Sequence, residues 1–299
     1  MLGINSIIIT PSILNQISDI DEFKGLWSAL DKHTTGLHLL DDVADYGTKF
    51  SSIAEPLKDQ PLSPKIIAYL HGILTGTKNQ SAYRKNDLNL PVPDANAPAG
   101  EIHTAHPDDI APLLEKLCEW VNDSLDQKTL HPLLVVSVFI SVFLQIAPFE
   151  QGNMRIASFL LVLILLKANY MYAPYASLSP IIQDNALTFF DALRNNQESL
   201  ETGKADWNEW LNAFLGILQT QKNILHTRLY DKKTEMSNLP ALSSRIMALF
   251  KQHKRLQMNE IIKLTNGRRA TIKLRISELL EQGYLKRHGQ GRATWYSLV

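Results

Sequence analysis

The stretch IAPFEQGNMR, residues 146–155, sets an acid, an amide, a glycine and an arginine between two strongly apolar runs. Gly152 permits positive φ, which lets successive backbone N–H groups converge on one point. Apolar periodicity resumes at Ile156, so a helix is expected to begin near Asn153 to Arg155. A helix N-terminus offers free N–H groups and a partial positive charge. Arg155 would add a fork of donors suited to phosphate oxygens. Such a loop can hold a phosphate. It can equally be a Gly-Asn turn joining two core helices, with Arg155 paired to an acid. Spacing alone leaves both readings open.

The elements that would position this loop are helices. The flanking runs 133–146 and 156–166 are each shorter than the ~18 residues of a membrane-spanning helix, and a polar loop parts them. They read as two buried helices. Residues 107–124 carry Ile110, Leu113, Leu114, Leu117 and Val121 at helical spacing. Residues 206–227 do the same with Trp207, Trp210, Leu211, Phe214, Leu215 and Leu218. Residues 75–107 are rich in Pro, Asn, Ala and Gly and read as a long irregular segment with a short hairpin. The whole chain is 299 residues, 45% hydrophobic and 20% charged, in keeping with two domains or one large domain with an appendage. Its single cysteine, Cys118, allows no disulfide within the chain. The first residues have no basic region ahead of an apolar stretch, so no signal peptide is expected. Together these favour a cytoplasmic location.

Zero net charge hides an asymmetry. Residues 239–299 hold 12 Lys and Arg against 3 Asp and Glu, a balance of +9, while the rest of the chain carries −9. A basic end on an acidic body points to a separate module with a polyanionic partner. A linker is expected over 228–242, then helices at 243–253, 257–265 and 268–282, then a hairpin around Gly-Gln-Gly-Arg. That order is the winged helix-turn-helix order. Leu264, Ile272, Ile276, Leu279 and Leu280 are its expected core. Its third helix would enter a DNA groove with Arg268, Arg269, Thr271, Lys273 and Arg275, and the wing would add Lys286, Arg287, His288 and Arg292. DNA is therefore the expected partner of 239–299, against a protein contact or simple solvation of the charges. One such module binds weakly, which favours a homodimer.

The loop in its context resembles the signature of the Fic (Fido) family, His-Pro-Phe-x-(Asp/Glu)-Gly-Asn-Gly-Arg, extended by an Arg three residues on. ISDIDEFKGLWSAL (17–30) is similar to the N-terminal segment of one subfamily, HPLLVVSVFISVFLQI (131–146) to the helix before the motif, and YAPYASLSPIIQDNALTFFDAL (172–193) to the segment after it. That subfamily ends in a winged helix, which HGQGRATWYSLV matches. The resemblance implies a mainly α fold: a Fic-type helical core with a short β-hairpin flap, plus a C-terminal winged helix-turn-helix domain. The implied domains are an N-terminal helical segment over 1–64, the Fic core over 65–230 and the winged helix over 239–299. It also implies transfer of AMP from ATP to a protein hydroxyl, with the motif His as base, the acid on Mg²⁺, and Phe149, Gly152, Asn153, the residue at 154, Arg155 and Asn185 around the nucleotide.

Four positions depart from the motif. Ala147 stands at the base, and loss of a general base costs roughly 10²–10⁴ in rate. Gln151 replaces the metal-binding acid, with Glu150 one place earlier, and Mg²⁺ favours carboxylates and phosphate over a neutral amide. Met154 replaces the second Gly, and Ser158 the second Arg. Nearby, Phe189 and Phe190 stand where the family often has two tyrosines. The expectation is an inactive transferase frame that retains binding of ATP or another nucleotide in a DNA-binding regulator, with no catalytic residue and no metal site. The competing expectation is an active nucleotidyltransferase with an atypical base, for which His103 or His106 are the loop candidates. His131 reads instead as a helix cap. Ser51-x-x-x-Glu55 is similar to the family's inhibitory motif, though Pro56 follows it, and residues 91–107 occupy the place of the flap that pairs with a protein target.

Overall fold

Ser63 and Pro64 open a helix in the way their chemistry dictates. The Ser63 hydroxyl accepts the Ile66 N–H at 3.4 Å, and Pro64 sits in the first turn where its missing N–H costs nothing. The helix ends at Gly76, φ +75. The computed structural model describes residues 6–30, 53–76, 82–91, 101–237, 239–250 and 252–298. The described residues divide into two compact units, one formed by those within 6–27 and 53–223, the other by 28–30 and those from 224 to 298.

The first unit is helical. Its elements are α1 (Pro11–Ala29), α2 (Pro64–Thr75), α3 (Ile110–Gln127), α4 (Pro132–Ile146), α5 (Asn153–Lys167), α6 (Leu178–Asp184), α7 (Ala186–Glu201) and the start of α8 (Asn208–Ser237). Strands β1 (Asn89–Pro91) and β2 (Glu101–His103) pair antiparallel, Asn89 opposite His103. α4 packs between α3 and α5, and α2 lies against α5. The two apolar runs are buried nearly all round, which is why neither shows a one-sided stripe. Among the described residues no helix is long and apolar enough to cross a membrane. In α3 the expected stripe holds except at Leu113, which is 40% exposed, while Cys118 takes a place in the core.

α1 is fastened to this core by polar groups as well as by Ile13, Ile20 and Phe23. Asp21 accepts from the Tyr170 hydroxyl at 2.5 Å and from His131 Nε2 at 2.9 Å. His131 caps α4 through Nδ1, which accepts the Leu133 N–H at 3.3 Å. Asp19 pairs with Lys222 at 2.8 Å.

The linker expected over 228–242 is helix through Ser237. No Pro or Gly interrupts LYDKKTEMS, and its Leu, Lys, Glu and Met favour helix, so α8 runs on until Pro240 stops it. The second unit then holds α9 (Ala241–Leu249), β3 (Leu256–Gln257), α10 (Met258–Thr265), α11 (Arg269–Glu281), β4 (Leu285–His288) and β5 (Trp295–Leu298), with the three strands in the order β3-β5-β4. Ile246, Ile261, Ile272, Ile276, Leu279 and Tyr296 form its core. Leu264 was expected there and is 47% exposed; Ile261 and Thr265 fill the inward face of α10 instead. The turn after β4 needs glycine at 289: φ is +74, and a Cβ would sit 2.6 Å from the Ala293 carbonyl oxygen.

Candidate functional site

The loop between α4 and α5 begins where α4 ends. Ala147 closes the helix in the left-handed region, φ +43, with its N–H on the Phe143 carbonyl at 2.9 Å. It is fully buried. A non-glycine residue at this φ is uncommon and must be held by its surroundings. The holder is Arg84: its Nε donates to the Ala147 carbonyl at 2.8 Å, and its backbone N–H donates to the Pro148 carbonyl at 2.9 Å.

Asn153 closes the other end. Its amide Nδ2 donates to the Phe149 carbonyl at 2.7 Å, and its Oδ1 accepts the Phe149 N–H at 3.0 Å. The side chain is buried and fully occupied in making this ring. Any contact of Asn153 with a ligand would therefore have to come through its backbone. Phe149 is buried and stacks on the His71 imidazole, with centroids 3.8 Å apart and planes at 11°. His71 Nε2 donates to the Gln151 carbonyl at 2.8 Å. Gly152 has φ +79 and opens α5; a Cβ there would meet His71 Nε2 at 3.1 Å.

What this frame offers outward is the first turn of α5. The N–H groups of Asn153, Met154 and Arg155 have no acceptor within the helix, and with the helix dipole they form an anion-favouring end. Arg155 is exposed beside them; its Nη1 also donates to the Leu74 carbonyl at 3.2 Å, at the C-terminal end of α2. The expected alternative of an acid partner for Arg155 is thus replaced by a helix-end carbonyl.

The remaining positions fit Mg²⁺ poorly. Glu150 Oε1 accepts from the Lys85 N–H at 3.2 Å and from Asn86 Nδ2 at 3.5 Å, so the one acid of the loop faces the segment before β1. Gln151 is exposed and neutral. Ser158 turns its hydroxyl back onto the Met154 carbonyl at 3.0 Å and, with Met154, Leu144 and Phe189, lines a small apolar hollow of about 10 Å³. That is room for one water at most. Met154 and Ser158 therefore face the core at least in part.

The other expected site residues lie apart from this loop or outside the described residues. Asn185 is exposed between α6 and α7, its Nδ2 on the Ile181 carbonyl at 2.8 Å. His103 lies in β2 and its backbone is held at both ends by Gln197, at 3.1 and 2.6 Å. His106 caps the turn before α3. Residues 92–100 of the flap, Ser51 and the Glu55 side chain fall outside the described residues. Sequence reasoning missed His71 and Arg84, the two side chains that hold the loop. His71 sits in an ordinary apolar helix and Arg84 in an irregular segment, so neither carried a periodic signal.

In the second unit Arg269 and Lys273 on α11 face Arg287 on β4 across a groove of about 840 Å³, which Asn259, Ser277 and Tyr296 also line. Arg269 Nη1 reaches Asn259 Oδ1 at 3.2 Å. Arg275 is paired with Glu278 at 2.7 Å, so its charge is partly spent within the helix. Arg268 and Thr271 are exposed. The Arg292 side chain lies outside the described residues.

Comparison with known proteins agrees with the loop. The model of the Fic/DOC family matches residues 61–165. Among solved structures, a Fic family protein from Desulfovibrio desulfuricans G20 is similar over 98% of this chain and 97% of its own, at 16% identity and a TM-score of 0.55, a likeness of fold. A Fic domain containing signaling protein from Bacteroides thetaiotaomicron VPI-5482 aligns over 76% of this chain and 90% of its own at 17% identity, with a TM-score of 0.39 too low to carry an argument. No curated protein matches the chain significantly.

Proposed function

We propose, from a chain whose residues 61–165 match the Fic/DOC family model, that the protein keeps the family's anion-holding frame without its transfer chemistry and acts through its basic C-terminal unit on duplex DNA. The observation that carries the first half is Ala147. The position where the family motif has its base is a fully buried methyl group, and its carbonyl is held by Arg84. A hydroxyl approaching a phosphate there would meet no proton acceptor on that side chain. A neutral Gln151 and a Ser158 hydroxyl turned back onto Met154 support the same reading. The α5 N-terminus and Arg155 remain as donors for a phosphate group, so ATP or another nucleotide is the ligand this loop would take.

The second half is supported by the +9 balance of residues 239–299 and by the groove between α11 and the β4–β5 hairpin. Three helices followed by a hairpin whose second strand pairs with a short third strand is winged-helix order. The basic side chains lie on the helix face and hairpin that such a module turns to a duplex.

The test is incubation of the full chain with labelled ATP, Mg²⁺ or Mn²⁺ and cell lysate. The expected result is no labelled protein beyond background, together with ATP binding by calorimetry that weakens on Arg155→Ala. Robust labelling that disappears in Arg155→Ala would overturn the inactive reading in favour of a transferase with an atypical base. Absence of any nucleotide binding would leave the loop as a turn and remove the anion-holding reading.

A further inference from the structure

Arg84 is 2% exposed and has no carboxylate partner among its hydrogen bonds. Its guanidinium donates to five oxygens from three places. Nε reaches the Ala147 carbonyl at 2.8 Å and Nη1 the Asn86 carbonyl at 2.8 Å. Nη2 is shared among the Ile146 carbonyl at 3.2 Å, the Thr104 hydroxyl at 2.9 Å and the Ala105 carbonyl. A buried cation needs compensation. The carbonyls of Ile146 and Ala147 end α4, where the helix dipole is negative, and they supply part of it. Burial pulls the guanidinium below the usual arginine pKa, while Asp87 and Glu150 act in the opposite direction.

The bonds around Arg84 also run in parallel. Its own N–H and that of Lys85 bind the loop at Pro148 and Glu150, and the Ala105 N–H binds the Gln145 carbonyl at 2.9 Å. The Thr104 hydroxyl donates in turn to the Leu88 carbonyl just ahead of β1. Both ends of the β1–β2 hairpin are thereby pinned to the end of α4 and the start of the anion loop, and one side chain touches all of them. We infer that Arg84 is a positioning residue that joins the hairpin to the anion loop, so that the two open and close as one body and a strand pairing with the hairpin edge is felt at the loop. This goes beyond the anion-holding reading and needs no nucleotide to be tested.

Native-state hydrogen exchange on the full chain decides it. Asn153→Ala loosens the loop from the side opposite to Arg84. The amides of Asn89, Leu90 and 101–103, none of which touches Asn153, should then exchange about tenfold faster, in the range of coupled sites. In an Arg84→Lys background, which keeps the charge and loses the fork, the same substitution should add nothing at those amides. Thr104→Val probes the reverse direction, at Ala147 and Phe149, and serves if Asn153→Ala does not fold. The inference is overturned if the loop amides accelerate while the hairpin keeps its wild-type rates, or if all amides of the first unit accelerate alike.

Discussion

Replacing Asn153 by alanine should destabilise the first unit far more than an exposed loop residue would. The amide makes two bonds, at 2.7 and 3.0 Å, to the two backbone groups of Phe149, and it is 3% exposed. Truncation leaves a buried N–H and a buried C=O without partners. Each such orphan costs about 1–3 kcal/mol. Water entering the loop mouth would recover part of this, so roughly 2–4 kcal/mol is expected for the pair. With a urea m-value of about 2 kcal/mol/M, the midpoint should fall by about 1–2 M. Tryptophan fluorescence reads it cleanly in a Trp295→Phe background, because Trp27, Trp207 and Trp210 are buried in the first unit and Trp295 is in the second. Asn153→Asp should lie between the two. It keeps the acceptor for the Phe149 N–H, gains about 0.3–1 kcal/mol at a helix N-terminus, and sets an oxygen against the Phe149 carbonyl. A midpoint shift under about 0.3 M for alanine, about 0.6 kcal/mol, would refute the claim that Asn153 is the clasp of the loop.

Other outcomes follow from the same geometry. Gly152→Ala should cost about 1–2 kcal/mol from its left-handed backbone alone, and more as the new Cβ pushes on His71 3.1 Å away; a thermal midpoint equal to wild type would contradict this. Burial raises the Asp21 pKa, but hydrogen bonds from His131 and Tyr170, with the charges of His131 and Lys24, outweigh it and hold the carboxyl below its ordinary value. Its folded-state pKa is thus lower than its unfolded one, so its contribution is present above the unfolded pKa and is lost as pH falls through the folded one. Asp21→Asn should therefore flatten the acid loss of stability below pH about 4, and an unchanged acid limb would sink that assignment. For the second unit, Lys273→Ala and Arg287→Ala in the full chain should each reduce the slope of log affinity for duplex DNA against log salt by about 0.9; two unchanged slopes would remove these side chains from the phosphate backbone.

Much of the helical frame was legible because burial leaves a periodic or continuous apolar trace. α4, α5 and the inward face of the start of α8 could be read that way, and Gly152 announced the turn between α4 and α5. The parts that were not legible depend on bonds between side chains and distant backbone. Arg84 reaches carbonyls some sixty residues further along, and nothing in its neighbourhood repeats. His71 looks like any polar residue on a mostly apolar helix until Phe149 is seen stacked on it. The end of α8 was lost for the opposite reason: a polar, charged run reads as linker although its residues favour helix and nothing breaks it before Pro240.

The residues that match the motif and those that depart from it do different physical work. Phe149, Gly152 and Asn153 match, and each has a partner or a backbone requirement within the protein: a ring to stack on, a positive φ, two bonds to close. Their presence is explained by the loop's own stability and says nothing by itself of a ligand. The departures fall at Ala147, Gln151, Met154 and Ser158, where transfer chemistry would need a base, a metal anchor, an open backbone and a second cation. The shape of the loop does not depend on those four positions, because Arg84, His71 and Asn153 hold it. Arg155 also matches the motif, but its Nη1 donates to the Leu74 carbonyl while the side chain stays exposed. Its substitution by alanine is therefore the sharpest single probe: it removes an exposed side-chain cation beside the first turn of α5 and leaves the clasp, the stack and the Arg84 contacts in place.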